Sequence, residues 1–348
     1  MVNKNSKCVY VPLKDGEKVR RYLKDNNFLR NDLKINKDTK YIYFPIIDKI
    51  NKITIKYKIK NKKFEKKSKK DIYYKEKLEN LVPKNIFNSL PNSFDIIGDV
   101  ILIRLNENLL LYKKEIGRAL LSTNKNAKVV CLVEPITGEL RTRKLEIIAG
   151  EKRTKTKHKE YGLIFEVDIK KTYFSPRLAN ERIRITKLVN PGDIVVDMFT
   201  GVAPFSIMIA KYSNPKIIYA FDKNPIAIKF AKINVKNNKV LDKIQVIKAD
   251  AKNSYIIIKE KVDRIIMNLP FSAYKFFKYA LNIGNNKCII HYYDILKEDE
   301  IDKRIEFLKK ISFKKGFVLE RFDIHKIKTY SPREFYIGID ITAKKMPM

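Results

Sequence analysis

The stretch that most constrains the fold is DIVVDMFTGVAPFSIMIAKY, residues 193–212. Ile194 to Val196 reads as a buried parallel strand that ends on the carboxylate of Asp197. Thr200 to Ala203 reads as a tight turn of small residues, and Pro204 sits where proline suits the first position of a helix. Strand, turn and helix in this order form the first half of a nucleotide-binding unit. The pattern then continues. From Ile169 on, the strands DIVVDMF, IIYAFD, IQVIKAD, VDRIIMNLP and KCIIHYYDI alternate with helices, and FVLERFDIHKI and EFYIGIDITA follow as a hairpin-like pair. Such alternation predicts an α/β fold, a doubly wound and mostly parallel sheet of seven strands.

Ahead of it the composition changes twice. Residues 1–70 read as a small basic α/β domain: a strand at CVYVPL, a helix over DGEKVRRYLKDNNFL with Asp15 as a possible cap, and a strand at YIYFPI. The stretch from Lys52 to Lys70 has one acid among ten lysines. Its first part alternates like a strand and its second part reads as a solvated linker. Residues 71–168 read as a mixed α+β domain with strands around FDIIGDVILIRL, AKVVCLV, RTRKLEIIAG and LIFEVDI, and residues 169–348 as the doubly wound domain.

Lys and Arg number 74 against 39 Asp and Glu, a formal charge of +35. Drift toward lysine could exchange Arg for Lys but does not create an excess over acids, so the balance favours a polyanionic partner through counterion release. Cys8, Cys131 and Cys288, and His158, His291 and His325, are scattered, which suggests neither a disulfide framework nor a metal site. His291, inside CIIHYY, reads as a strand residue. No apolar run approaches the ~18 residues of a membrane span, and the opening lacks the apolar core of a signal peptide. A cytoplasmic location is expected.

Asp222 ends the second strand twenty-five residues after Asp197, where doubly wound folds place an acid against a ribose. A dinucleotide pyrophosphate calls for G-x-G-x-x-G, whereas TGVAPF has one glycine and a proline, and no P-loop lysine follows. A nucleoside cofactor without phosphate fits better, and S-adenosylmethionine is the common one. Its ribose would meet Asp222, its cationic methionine part Asp197, and its adenine Asp250 at the end of IQVIKAD. One aspartate at a strand end is ordinarily a cap. Three in register, followed by NLPF at the end of the fourth strand, point to a class I (Rossmann-like) methyltransferase with Asn268 facing the transferred group.

Four segments carry a more specific likeness. YFSPRLANERIRI (173–185), LRTRKLEIIAGE (140–151), NLPFSAYKFF and YSPREFYIGID resemble the motifs of the archaeal and eukaryotic tRNA (guanine-37-N1)-methyltransferase family over about residues 95–345. The first domain has the size and position of that family's extra tRNA-binding domain. The resemblance implies Glu181 as the base that takes the guanine N1 proton, Arg141 as the guanidinium that stabilises charge on O6, Asn268 on the base edge and Tyr173 packed near base or cofactor. It places the cofactor among Asp197, Phe199, Gly201, Val202, Pro204, Asp222, Lys223, Asp250, Asn268 and Arg177. It also implies a monomer acting on tRNA at the anticodon loop and outer corner, without a metal. Where the family typically reads FAGVGPF, this chain has Thr200 and Ala203; both are small, so the turn should survive. Phe271 and Ser272 also depart from commoner forms.

Three other readings stay open in the sequence. An amino-group methyltransferase acting on adenine N6 or guanine N2 is the nearest, since NLPF resembles (N/D)PP(Y/F); that chemistry needs no carboxylate base, so Glu181 discriminates. A bifunctional form would also methylate C7 of 4-demethylwyosine. An inert tRNA-binding protein would fail to bind S-adenosylmethionine.

Overall fold

The computed structural model describes residues 3–26, 28–30, 32–47, 57–65, 74–134 and 143–347. The chain forms two compact units, residues 1–80 and 81–348. In the first, β1 (Asn3–Pro12), α1 (Gly16–Asp25), β2 (Asn36–Lys37), β3 (Tyr41–Pro45) and β4 (Lys58–Glu65) build an antiparallel sheet in the order β2-β3-β1-β4. Alternation along β1 turns Val9 and Val11 toward Val19 and Leu23 of α1, and Cys8 toward Leu33, Tyr43 and Phe64. Asp15 closes a 3-10 turn that leads into α1. The strand read at the start of the lysine stretch and the end of the linker lie largely outside the described residues; among the described residues β4 runs to Glu65, into the part read as linker. The physical reason is Phe64, which is fully buried and gives an otherwise polar segment an anchor.

The second unit opens with α2 (Lys84–Phe87), β5 (Asp95–Ile97), β6 (Val100–Ile103), α3 (Lys113–Thr123), β7 (Val129–Val133) and β8 (Leu145–Gly150). These strands make a mixed sheet in sequence order, followed by the hairpin of β9 (Lys155–Glu160) and β10 (Leu163–Asp168). Gly150 sits at φ +88°, and a Cβ there would lie 2.0 Å from the Lys128 carbonyl oxygen, so only glycine closes this strand. The hairpin strand β9 was not read from the sequence. Its buried side chains, Thr156 and Glu160, are polar. They are satisfied by Asp99, which accepts the Thr156 hydroxyl at 2.7 Å, and by Arg182, whose Nε donates to Glu160 at 2.7 Å.

After α4 (Ala179–Leu188) come β11 (Ile194–Asp197), α5 (Pro204–Tyr212), β12 (Ile217–Asp222), α6 (Pro225–Asn237), β13 (Ile244–Lys248), α7 (Ser254–Ile257) and β14 (Val262–Met267). α8 (Phe277–Ile283), β15 (Gly284–Lys297), α9 (Ile301–Phe313), β16 (Phe317–Ser331) and β17 (Glu334–Lys345) complete the chain. The seven strands run β13-β12-β11-β14-β15-β17-β16; the first five are parallel and β17 is antiparallel to both neighbours. β11 is buried along its whole length because helices cover both faces. One of the two cores flanking this sheet also takes in Val100, Leu102, Val129, Leu163, Phe165 and Val167. The division expected at residue 168 therefore falls inside a continuous core.

The outer edge of β10 is held by α6. Asn234 accepts the Glu166 N–H at 2.7 Å and donates to the Glu166 carbonyl at 3.1 Å, and Asn238 repeats the pattern on Ile164 at 3.0 and 2.8 Å.

Candidate active site

The parallel strands β11, β12, β13 and β14 end side by side, and the chain leaves each in a tight loop. After Asp197 the loop is pinned to both neighbouring strands: the Met198 N–H donates to Ile266 O at 3.0 Å and the Thr200 N–H to Phe221 O at 2.7 Å. Gly201 (φ +57°) and Ala203 (φ +66°) turn the chain through left-handed backbone into α5. This conformation is open to glycine and costly for alanine. The Gly201 N–H donates to Asp222 at 2.8 Å, which ties the first loop to the second. Asp222 also accepts the Asn224 N–H at 2.8 Å, and Asn224 caps α6 through the Ile226 N–H at 2.9 Å. Asp250 accepts the Lys252 N–H at 2.9 Å.

These loops floor a cleft of about 1020 Å³. Of the residues singled out in the sequence, Tyr173, Arg177, Phe199, Gly201, Asp222, Lys223, Asp250 and Asn268 line it. Arg177 is paired there with Asp95 at 2.5 Å. Asn268 accepts a short hydrogen bond from the Tyr336 hydroxyl. Phe199 meets Phe276 edge to face at 4.9 Å.

Four others stand behind the lining. Pro204 opens α5, and Val202 is fully buried, its carbonyl accepting from Asn234 at 3.1 Å. Asp197 is 1% exposed; Ser206 donates to its Oδ2 at 2.9 Å, while its Oδ1 meets no partner among the described residues. Burial pushes the Asp197 carboxyl up to about 6, against the opposing pull of the Thr200 and Ser206 hydroxyls and the Phe199 amide. Burial likewise raises Asp222, opposed by the Asn224, Gly201 and Lys223 amides.

Glu181 is the fourth. Arg184 grips both its oxygens, Nε at 2.9 Å and Nη2 at 2.7 Å, and the Tyr293 hydroxyl donates to Oε1 at 2.7 Å. The same guanidinium holds Asp340 at 2.6 Å. Asp340 also meets Nδ1 of His291 at 2.6 Å, and Nε2 of that ring faces Arg264 Nη1 at 2.9 Å. An arginine only donates, so Nε2 accepts and Nδ1 carries the proton toward Asp340. The His291 and Arg184 partners hold Asp340 well below the usual carboxylate range despite its burial. His291 thus lies in β15, as its sequence context suggested.

Arg141 lies outside the described residues. The neighbouring Arg143 lines the cleft, 5.8 Å from the centre of the Tyr173 ring. Sequence reasoning also missed Asp294, which is fully buried and accepts the Phe271 N–H at 3.0 Å, and Tyr336. Asn224 could have been found, since an asparagine directly before a helix-opening proline is a capping signal. Among the described residues no group of three or more His, Cys, Asp or Glu is placed to hold a metal ion, and no helix is long and apolar enough to cross a membrane. The three cysteines are free and buried.

The strand order, the acidic strand ends and the asparagine at the fourth strand define a class I methyltransferase. Family models carry this further. One described as the TRM5/TYW2 methyltransferase domain matches residues 156–320, a TYW2 N-terminal domain matches 74–154, and a tRNA methyltransferase 5 N-terminal domain matches 8–54. The chain belongs to the TRM5/TYW2 methyltransferase family. It is 39% identical to the tRNA (guanine(37)-N(1))-methyltransferase Trm5b of Pyrococcus abyssi, over 96% of this chain and 98% of that one. It is 38% identical to the Trm5b of Methanocaldococcus jannaschii, over 97% and 99%. A tRNA(Phe) (4-demethylwyosine(37)-C(7)) aminocarboxypropyltransferase of the latter organism is 35% identical but matches 72% of this chain, against 97% of its own length.

Among solved structures, the Pyrococcus abyssi Trm5b crystal structure superposes with a TM-score of 0.72 at 38% identity, over 97% and 99% of the two chains. A complex of aTrm5 with tRNALeu gives 0.69 at 38%, over 96% and 99%. M. jannaschii TYW2 in complex with AdoMet gives 0.57 at 28%, over 73% and 100%.

Proposed function

We propose that this chain transfers a methyl group from S-adenosylmethionine to N1 of guanosine 37 of tRNA. One observation carries the reading: relatives named for that reaction match the chain from end to end, first unit included, whereas the aminocarboxypropyltransferase has no counterpart of more than a quarter of it. The +35 charge suits a polyanionic substrate.

The residues present fit the cofactor. The buried Asp197 Oδ1, which meets no partner among the described residues, suits an ammonium group, and Asp222 at the end of β12 suits ribose hydroxyls. S-Adenosylmethionine supplies an electrophilic methyl on a sulfonium. This chain's own residues then position and deprotonate the base. Tyr336 fixes the Asn268 amide for the base edge, Tyr173 offers a ring, and the guanidinium of Arg141 stabilises the charge that develops on O6. Glu181 takes the N1 proton. When its carboxylate turns toward the cleft, Arg184 stays held by Asp340, so the half-buried guanidinium keeps a counter-ion. Alignment of these groups supplies most of the remaining rate. The chain acts as a monomer, with both units on one tRNA.

Incubation with labelled S-adenosylmethionine and unmodified tRNA carrying guanosine or adenosine at position 37, followed by nucleoside mass analysis, tests the reading. 1-Methylguanosine from the first substrate alone is expected. An N2- or N6-methyl product, or transfer of the aminocarboxypropyl group, overturns it.

A further inference from the structure

The loop after Asn268 makes an unusual turn. Phe271 has φ +70°, a backbone region costly for any residue with a Cβ and rare for a bulky one. The conformation is held from below by Asp294, fully buried, whose carboxylate accepts the Phe271 N–H at 3.0 Å; Arg304 and the Tyr292 hydroxyl fix the same carboxylate. All this anchors an aromatic ring that is 50% exposed. The ring stands edge to face with Tyr330 at 5.5 Å, itself 49% exposed, and both line the cleft. Nothing in the core gains from so placed a phenyl group. A strained backbone maintained by a buried clasp indicates a constraint outside folding.

We propose that Phe271 and Tyr330 form a stacking corner for the nucleobase next to the methylated one in the tRNA loop, so that Phe271 positions the substrate. This rests on the tRNA reading above. Asn268, three residues earlier and less exposed, directly follows β14, where the target base edge is read. Phe271 and Tyr330 stand farther out, at the cleft's rim. An anticodon loop that gives up one base must unstack its neighbour, and unstacked bases settle on aromatic faces. The ring takes any base, so it contributes grip and register rather than base identity.

The test uses the full chain with tRNA transcripts carrying 2-aminopurine at position 36 or 38, and the variants Phe271→Gly and Phe271→Tyr. Binding to the unaltered protein should quench fluorescence at one of the two positions. Phe271→Gly should abolish that quench and slow single-turnover methylation about 5- to 100-fold, while its unfolding temperature stays level or rises because the strain is gone. Phe271→Tyr should restore both quench and rate. A quench that survives Phe271→Gly overturns the proposal, and so does a fall in unfolding temperature that accompanies the lost rate, which marks the ring as structural. If the unaltered protein makes no 1-methylguanosine, the methylation reading fails, yet the fluorescence on bound tRNA still decides the role of the ring.

Discussion

Asp197→Asn should separate folding from function. The carboxylate is buried beneath the first loop, with one oxygen bonded to Ser206 and the other without a partner among the described residues, and burial lifts it from 3.8 to about 6. A carboxyl raised in the folded state gives stability that is fully present below the unfolded value and is lost as pH rises through about 6. At about 1.36 kcal/mol per pH unit, the span from 3.8 to about 6 corresponds to about 3 kcal/mol, an upper bound on what the ionised group costs the cofactor-free fold at pH 7.5. Asparagine keeps the shape and an acceptor for Ser206 but carries no charge. In urea unfolding at pH 7.5, the variant without cofactor should exceed the parent by about 1 to 3 kcal/mol, and the gap should close toward pH 4. In calorimetric titration, S-adenosylmethionine should bind the variant about 10- to 100-fold more weakly, and the parent should lose affinity as pH falls through about 6. A variant less stable at pH 7.5, or one with a pH-independent gain, would refute the reasoning, as would unchanged cofactor affinity.

Two further substitutions probe the chain behind the cleft. Glu181→Gln should lower single-turnover N1 methylation by about 100-fold or more while leaving S-adenosylmethionine affinity in place; a variant with nearly full rate removes Glu181 from proton transfer. Glu160→Gln strands the Arg182 guanidinium, 1% exposed, and should cost about 3 to 5 kcal/mol in urea unfolding. A loss under 1 kcal/mol would show that water or Ser175, whose carbonyl also accepts from Arg182, satisfies the charge.

The doubly wound sheet was legible because its strands are buried on both faces and so read as short apolar runs separated by helical periods. The acidic strand ends followed from the same punctuation. β9 was hidden because its inward side chains are Thr156, His158 and Glu160, a period of two written in polar residues that only Asp99 and Arg182 make sense of. The end of β4 is hidden for a related reason: one phenylalanine decides where a lysine-rich strand stops. In the site, Asp222, Asn268 and Tyr173 could be placed from spacing and motif. The setting of Glu181 could not, since Arg184 is a neighbour on its helix but Asp340 and Tyr293 come from strands more than a hundred residues away. Phe271 stands out in the sequence only as a departure from a motif, because backbone handedness leaves no trace in composition.

Asn234 of α6 and Asn238, which caps its end, have a consequence for how the chain behaves among its own copies. Four residues of helix rise about 6 Å and two residues of strand about 6.6 Å, so amides at 234 and 238 come level with the main chain at 166 and 164 and answer each N–H and C=O in turn. A strand border is normally an invitation to any passing extended segment. Here the invitation is withdrawn by side chains, and sheet growth from one molecule into the next finds no foothold along that border.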